Sequence, residues 1–359
     1  MYVPPIVVIR RPPEKTEKKT GLGVCSDKIE YAINESGLSY DELLFSIEGG
    51  KKYLSTAMNG VIRPVFKSKE LNNIHKIFHA TDEIGMIVFP FVKGKKVVTF
   101  HHVLNNQDNT SFLYSWFWKI ITNIGMRSTD HIIAISSQTK NELVNLLGIP
   151  VKKITVMTTP IGEQYRNATL QKKEKIICAV GEMTLRKNMS SAIRTFKMVL
   201  DMPGTSDFKL KICGKGPERE NILNIAKELG IENKVELVSN LSEKELVDFY
   251  SRAYVLSNPS MHEGLGLATL EAQACSTPVV IFSDAEMPKE VTKFAIPSNT
   301  EEDFAKNIHR LIVDESFRSK TISNGLEYAR LFGNDFKDKL LAVYQYLDKD
   351  LIDSQDVIY

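Results

Sequence analysis

The chain has 359 residues, 43% of them hydrophobic, which fits two globular domains of about 150 to 200 residues each. The formal net charge is only +2, which argues against nucleic acid as a partner. No apolar run reaches the roughly 18 to 20 residues that a membrane span needs, and no secretory signal is present. We therefore expect a cytoplasmic protein. Its first half is mildly basic, which leaves open a peripheral contact with the membrane's cytoplasmic face.

The cysteines form neither a close pair nor a metal-ligand spacing, which predicts reduced, buried thiols. They are Cys25, Cys178, Cys213 and Cys275. No His/Asp cluster is present either. We therefore expect no metal site.

Short apolar runs in the first half predict strands at residues 6–9, 43–47, 76–80, 97–101 and 131–135. Strands that alternate with helices indicate a parallel sheet, and ligands bind such sheets beyond the carboxyl ends of the strands. His101 stands at one of these ends. Gly21-Leu22-Gly23 precedes a predicted helix, but Ser26 takes the place of the third glycine of a dinucleotide fingerprint. We therefore predict no dinucleotide cofactor.

Residues 112–124 are the most apolar helix-like stretch of the chain and contain both tryptophans. A membrane-interface helix is one interpretation. The stretch has a single lysine and little polar face, so we favour a helix in the core of the first domain. Residues 155–165 are the expected crossing to the second domain.

The second half opens with a predicted strand at residues 176–180, followed by the cations of Arg186-Lys187-Asn188. Arginine binds phosphate as a planar fork and lysine binds it as a point charge. An ordinary exposed pair before a helix is the alternative. Further strands are predicted at 208–213 and 235–238, and helices at 244–250, 303–313 and 335–347. Gly214-Lys215-Gly216-Pro217 lacks the glycine spacing of a P-loop.

Residues 253–282 predict a strand, a glycine turn, a helix and a second strand. Pro259 ends the first strand, and Glu263-Gly264-Leu265-Gly266 leads into a helix that begins at Leu267. Unsatisfied N–H groups at a helix N-terminus bind anions, and glycines let a phosphate approach closely. Glu271 follows Glu263 by eight residues, a spacing that does not suit one metal held on a helix. Each glutamate suits hydroxyls of a polyhydroxylated ligand, whereas a solvated glutamate is the simpler alternative.

This stretch, E-G-x-G-L-x-x-x-E-A-x-A-C-x-T-P-V, resembles the E-x7-E signature of retaining family-4 glycosyltransferases. The resemblance implies the GT-B fold, an α/β architecture of two Rossmann-like domains with parallel sheets facing across a cleft. The implied domains are residues 1–163 on the acceptor side, 164–335 on the nucleotide-sugar donor side, and a helix at 336–359 that returns to the first domain.

The resemblance also implies roles for individual residues. Glu263 and His101 would lie by the donor sugar, Glu271 would bind the ribose, and Arg186 and Lys187 would bind the diphosphate. The turns at Gly21 and Gly23 and at Gly264, Leu265 and Gly266 would complete the donor site. The chain departs from the family pattern at Pro160, Gly162, Glu182, Ser276 and His102.

The implied function is transfer of a hexose-type sugar, with retention, from a UDP- or GDP-linked donor to a glycan, lipid-linked or small-molecule hydroxyl. Fixed positive charge would stabilise the departing diphosphate, so neither a metal nor another cofactor is expected. Two alternatives stay open: a catalytically silent partner subunit that binds nucleotide-sugar, and a GT-B phosphorylase. Glu271 argues against the phosphorylase, which needs no ribose contact.

Overall fold

The computed structural model describes residues 6–12, 21–45, 64, 67, 76–101, 123–169 and 171–348. The chain divides into two compact units. The first comprises Met1–Pro160 and Gly333–Tyr359, and the second comprises Ile161–Phe332. In the described part of the chain, no helix is long and apolar enough to cross a membrane.

Each unit is built on a six-stranded sheet in which every strand pair is parallel. The strands are β1 (Ile6–Arg10), β2 (Tyr40–Leu44), β3 (Ile77–Ala80), β4 (Lys95–Phe100), β5 (His131–Ala134), β6 (Ile154–Val156), β7 (Ile176–Val180), β8 (Lys209–Cys213), β9 (Val235–Val238), β10 (Val255–Asn258), β11 (Val279–Phe282) and β12 (Ile296–Ser298).

Helices connect the strands, as parallel pairing requires. They are α1 (Gly21–Glu35), α2 (Ser137–Leu147), α3 (Glu163–Arg166), α4 (Met189–Leu200), α5 (Arg219–Glu228), α6 (Glu243–Arg252), α7 (Leu267–Ala274), α8 (Lys289–Thr292), α9 (Glu301–Val313), α10 (Glu315–Leu331) and α11 (Phe336–Leu347). Short 3-10 helices at Glu83–Phe91 and Leu185–Lys187 follow β3 and β7.

The first unit has the strand order β2-β1-β3-β4-β5-β6. Its central strands are buried on both faces, so they read as continuous apolar runs, and β1 is buried at every position. Helices α1 and α11 pack on one face, where Ile29 and Ile33 join Leu340 and Tyr344 in one apolar cluster.

The second unit has the strand order β9-β8-β7-β10-β11-β12, in which the direction of strand addition reverses between β7 and β10. Apolar residues of α4 and α9, among them Phe196 and Phe304, cover one face of this sheet. In doubly wound sheets ligands bind beyond the carboxyl ends of the strands where that reversal occurs. The loops after β7 and β10 are therefore the first place to look for a site.

The structure differs from several sequence predictions. Gly21 and Gly23 lie inside the first turn of α1, not in a loop before the helix. Thr155 and Val156 belong to β6, so the crossing begins later than predicted, while the division between the units after Pro160 falls within the predicted residues 155–165. Helix α10 was not predicted, because its buried positions are few and its sequence is largely polar. The predicted helix at 112–124 lies mostly outside the described residues, as does His102.

Candidate active site

The loops after β7 and β10 meet through three ionic side chains. Lys187 forms an ion pair with Glu263, and Arg186 Nη1 lies 3.5 Å from the other carboxylate oxygen of Glu263. Arg186 also donates to the carbonyl of His262 at 2.6 Å, and its own carbonyl accepts from the Met261 backbone N–H at 3.0 Å. The side chain of Glu263 is only 9% exposed, whereas that of Arg186 is 39% exposed. The cluster therefore holds two cations on a buried carboxylate, with Arg186 reaching solvent.

A loop after β11 fixes the Glu263 segment from a second direction. The backbone N–H of Glu263 donates to the carbonyl of Glu286 at 3.0 Å, and the Glu286 N–H donates to the carbonyl of Met261 at 2.8 Å. The side chains of His262 and Glu286 also pair, with Nδ1 2.9 Å from the carboxylate. This pair was not predicted, because its partners lie 24 residues apart and nothing local in the sequence marks them.

Gly266 forms the N-cap of α7 in the left-handed conformation, with φ of 80°. A Cβ at this position would lie 3.3 Å from Met287 Cε, which is a tight contact, and 3.5 Å from Glu263 Cβ, which is an ordinary one, so the turn packs directly beside Glu263. No side chain caps the first N–H groups of α7 at this N-cap. The neighbouring Leu265 is buried and anchors the turn, while Gly264 is half-buried. The helix start thus offers backbone donors of the kind that bind anions.

Glu271 lies on α7, one turn beyond the helix start, and is half-buried. Its Oε2 accepts a hydrogen bond from the hydroxyl of Tyr250 at 3.2 Å. Tyr250 lies on α6 and is fully buried. Burial, followed by the charge of Glu271, raises the pKa of Tyr250 well above its ordinary value, so the hydroxyl remains a donor. Sequence reasoning missed Tyr250, because it precedes Glu271 by 21 residues on another helix.

The glycines of the Gly214-Lys215-Gly216 turn are required by backbone packing. A Cβ on Gly214 would lie 1.8 Å from the carbonyl oxygen of Gly181, and one on Gly216 would lie 2.3 Å from that of Met183. The Met183 N–H donates to the carbonyl of Lys215 at 2.8 Å. This turn therefore supports the segment that leads to Arg186, and its glycines need no phosphate to explain them.

In the first unit, His101 follows β4 and turns inward. It is 7% exposed, and its Nε2–H donates to the Thr81 carbonyl at 2.9 Å. Its backbone N–H donates to Glu83 Oε1 at 2.6 Å. Burial lowers the pKa of His101, but the contacts with Cys25, the charge of the Glu83 carboxylate and the hydrogen bond to the Thr81 carbonyl outweigh burial and raise this pKa to about 9. The ring is therefore held in place by groups of its own unit.

The start of α1 lies at the same edge of the first sheet. Ser26 donates from its hydroxyl to the Thr81 hydroxyl at 2.8 Å, just after β3. Cys25 lies against His101, and Gly21 and Gly23 form the turn of α1 immediately before it. The predicted site residues thus form two groups. Gly21, Gly23 and His101 lie in the first unit, and the remaining seven lie in the second.

The second-unit group combines features that bind a phosphorylated, hydroxyl-bearing molecule. Two cations and an uncapped helix start supply positive charge, and two carboxylates supply acceptors for hydroxyls. Among the described residues, no group of three or more His, Cys, Asp or Glu side chains is placed to hold a metal ion.

Two family models match successive parts of the chain. The model described as glycosyl transferases group 1 matches residues 161–328, and the model described as glycosyltransferase family 4 matches residues 69–164. Among curated proteins, the chain is 26% identical over 246 residues to the O-antigen chain mannosyltransferase RfbU of Salmonella typhimurium, covering 63% of this chain and 68% of RfbU. Two further curated relatives are matched over only 59% and 37% of their lengths.

Solved structures show the same fold at lower identity. Sucrose-phosphate synthase of Thermosynechococcus elongatus matches with a TM-score of 0.74 and 16% identity, covering 96% of this chain and 99% of that protein. Anabaena Alr3699/HepE, solved in complex with UDP and glucose, matches with a TM-score of 0.72 and 13% identity, covering 96% and 100%. Both the fold class and the family predicted from the sequence are therefore confirmed. The chain belongs to the family-4 glycosyltransferases, the glycosyl transferases group 1, and has their GT-B fold of two Rossmann-like domains.

Proposed function

We propose that this glycosyltransferase moves a hexose-type sugar from a nucleotide-sugar donor to an acceptor hydroxyl, with retention of configuration at the anomeric carbon. The observation that carries the proposal is the cluster of Arg186, Lys187 and Glu263 beside the start of α7, where the sheet order reverses.

The donor diphosphate is assigned to the cationic side of this cluster. Arg186 is partly exposed and presents a fork to phosphate oxygens, Lys187 adds a point charge, and the first N–H groups of α7 add a partial positive charge. Glu271 is assigned to the ribose hydroxyls. A UDP-linked donor is consistent with the solved relative that carries UDP and glucose, and a hexose-type sugar is consistent with the relative named as a mannosyltransferase.

The reaction breaks the bond between the anomeric carbon and the diphosphate oxygen and forms a bond from that carbon to the acceptor oxygen. In this proposal the departing phosphate oxygen takes the proton of the acceptor hydroxyl, which keeps both groups on the same face of the sugar. Negative charge grows on the diphosphate as the bond breaks. Fixed donors already aimed at it stabilise this charge without reorganising, so the mechanism needs no metal.

Glu263 has two roles in this mechanism. Its carboxylate holds the ammonium of Lys187 in place, and it accepts from hydroxyls of the donor sugar. His101, Gly21 and Gly23 are assigned to the donor and acceptor from the first unit. The acceptor is proposed to be a glycan or lipid-linked sugar, consistent with the O-antigen chain named for one relative, and peripheral membrane contact belongs to the same proposal.

A thermal-shift panel with UDP, GDP, ADP and their common sugar conjugates, with and without EDTA, tests the donor assignment. A ligand at 100 times its dissociation constant adds about 2.7 kcal/mol of stability. We expect a shift with one nucleotide that EDTA leaves unchanged. Absence of a shift with every nucleotide would contradict the proposed function. A shift abolished by EDTA would contradict the metal-free mechanism alone.

A further inference from the structure

We propose that Tyr250 is a positioning residue of the donor site, which aims the carboxylate of Glu271 at the ribose. The inference rests on the proposed function, since it takes Glu271 as the ribose ligand. It adds a residue on α6 to a site otherwise built from the loops after β7 and β10 and from α7.

The hydroxyl of Tyr250 has a fixed position. The side chain is fully buried, and its ring packs edge-on against Tyr165 with ring centroids 6.2 Å apart. The backbone carbonyl of Tyr250 accepts from the Thr277 hydroxyl at 2.6 Å, which ties α6 to the segment just before β11. A ring held in this way cannot follow the carboxylate if the carboxylate rotates.

Glu271 by contrast has a side chain with three rotatable bonds and lies at a half-buried position. Side chains of this length lose much of their rotamer freedom when they are ordered. The 3.2 Å hydrogen bond from Tyr250 to Oε2 orders the carboxylate before a ligand arrives. Preorganisation of this kind increases affinity by reducing the ordering cost of binding.

The hydroxyl of Tyr250 also tends to keep its proton, since burial, followed by the charge of Glu271, raises the pKa of Tyr250 well above its ordinary value. A neutral hydroxyl orients the carboxylate and leaves it negatively charged. An arginine or lysine in this place would compete with the ribose hydroxyls for the same charge. The pairing therefore suits a carboxylate that must accept from neutral hydroxyls.

The test compares Tyr250→Phe with the wild-type protein by calorimetric binding of UDP and 2′-deoxy-UDP, or of the matching GDP pair if the thermal panel selects guanine. Loss of the positioning hydroxyl should weaken binding of the ribonucleotide 5- to 10-fold and leave the deoxynucleotide almost unchanged. The preference for ribose should then fall by the same factor. Tyr254→Phe is the matched control, because its ring packs on Phe208 and Arg318 instead of reaching Glu271.

A double-mutant cycle with Glu271→Ala separates positioning from packing. In that background Tyr250→Phe should have no further effect on ribonucleotide affinity, because residues that act through each other are not additive. The inference would be overturned by an unchanged ribose preference in Tyr250→Phe, or by an equal loss of ribose preference in Tyr254→Phe. In either case, nucleotide binding by the wild-type protein would still uphold the proposed function. Failure of the wild-type protein to bind any nucleotide would overturn both.

Discussion

Glu263 is the residue on which both cations of the candidate site converge. Its replacement removes a proposed sugar contact and also frees Lys187, whose side chain is 14% exposed and would keep a buried charge. Such a change affects both reactivity and local order. Glu263→Gln keeps the size of the side chain and removes its charge, so it disturbs the local packing less than Glu263→Ala does.

We expect Glu263→Ala to abolish turnover and Glu263→Gln to lower kcat by about 100-fold or more, the loss typical of one transition-state contact. Both variants should remain folded. Nucleotide release during sugar transfer measures the rate, and circular dichroism reports the fold. Glu301→Gln is the control, since Glu301 pairs with Arg194 on other helices of the same unit. Full activity in Glu263→Ala would refute the site assignment.

Arg186 should contribute mainly to affinity for the diphosphate. A hydrogen bond to a charged group contributes about 2 kcal/mol, so Arg186→Ala should raise the dissociation constant of the nucleoside diphosphate about 30-fold. Calorimetric titration measures this constant. Arg252→Ala removes another partly exposed arginine, one that pairs with Glu174, and should leave the constant unchanged. Equal nucleotide affinity in Arg186→Ala and wild type would exclude the diphosphate contact.

At the scale of the element, the start of α7 depends on a glycine for two reasons. The left-handed conformation of Gly266 costs another residue about 1 to 2 kcal/mol, and a Cβ there meets Met287 and Glu263. Gly230 has a similar φ of 65°, but a Cβ added there would have no atom within 4 Å. Substituting each glycine in turn therefore distinguishes the effect of backbone strain, which both positions share, from the effect of the tight contact with Met287, which only Gly266 has.

Gly266→Ala and Gly230→Ala should therefore lower the unfolding free energy by similar amounts, about 1 to 2 kcal/mol. Only Gly266→Ala should also reduce kcat, because the strained backbone and the tight 3.3 Å contact with Met287 Cε fall on the turn that carries Glu263. Urea denaturation and the transfer assay measure the two effects. Equal activities for the two variants would show that the turn tolerates the methyl without moving Glu263.

At the scale of the whole molecule, two buried histidines make the stability of the first unit depend on pH in opposite senses. Burial lowers the pKa of His79 to about 3, so the unfolded chain binds more protons between pH 6.5 and 3, and stability falls as pH falls through this range. For His101 the folded pKa is raised to about 9, with burial opposed by Cys25, Glu83 and Thr81. Its contribution is complete below pH 6.5 and is lost as pH rises to 9.

The first unit should consequently be most stable near pH 6.5, with each histidine changing the unfolding free energy by at most about 1.4 kcal/mol per pH unit. Denaturation followed by the fluorescence of Trp116 and Trp118, which both precede residue 160, measures this unit. His101→Gln should flatten the alkaline side of the profile and His79→Gln the acid side. An alkaline side that is unchanged in His101→Gln would show that the imidazolium contributes nothing.

Local sequence was sufficient to predict most strands and the residue types of the candidate site. Strand β11 was predicted at residues 279–282 and is found at Val279–Phe282, since a short apolar run between a proline and a polar turn has few alternatives. The glycine turn and its two glutamates were recognised because strand, turn and helix are contiguous in the chain. Helix α10 was missed because its pattern of buried residues is weak.

Only the tertiary structure decided which of these residues meet. Lys187 and Glu263 lie 76 residues apart and pair because β7 and β10 are neighbours, a strand order that no local pattern encodes. The hydroxyl of Tyr250 reaches Glu271 because α6 and α7 flank the same strand. His101 turns inward because α1 and the loop after β3 supply its partners. The sequence alone determined most of the elements and the chemistry they carry, because both depend on neighbouring residues. Packing determined which residues pair, because pairing depends on residues distant in the chain.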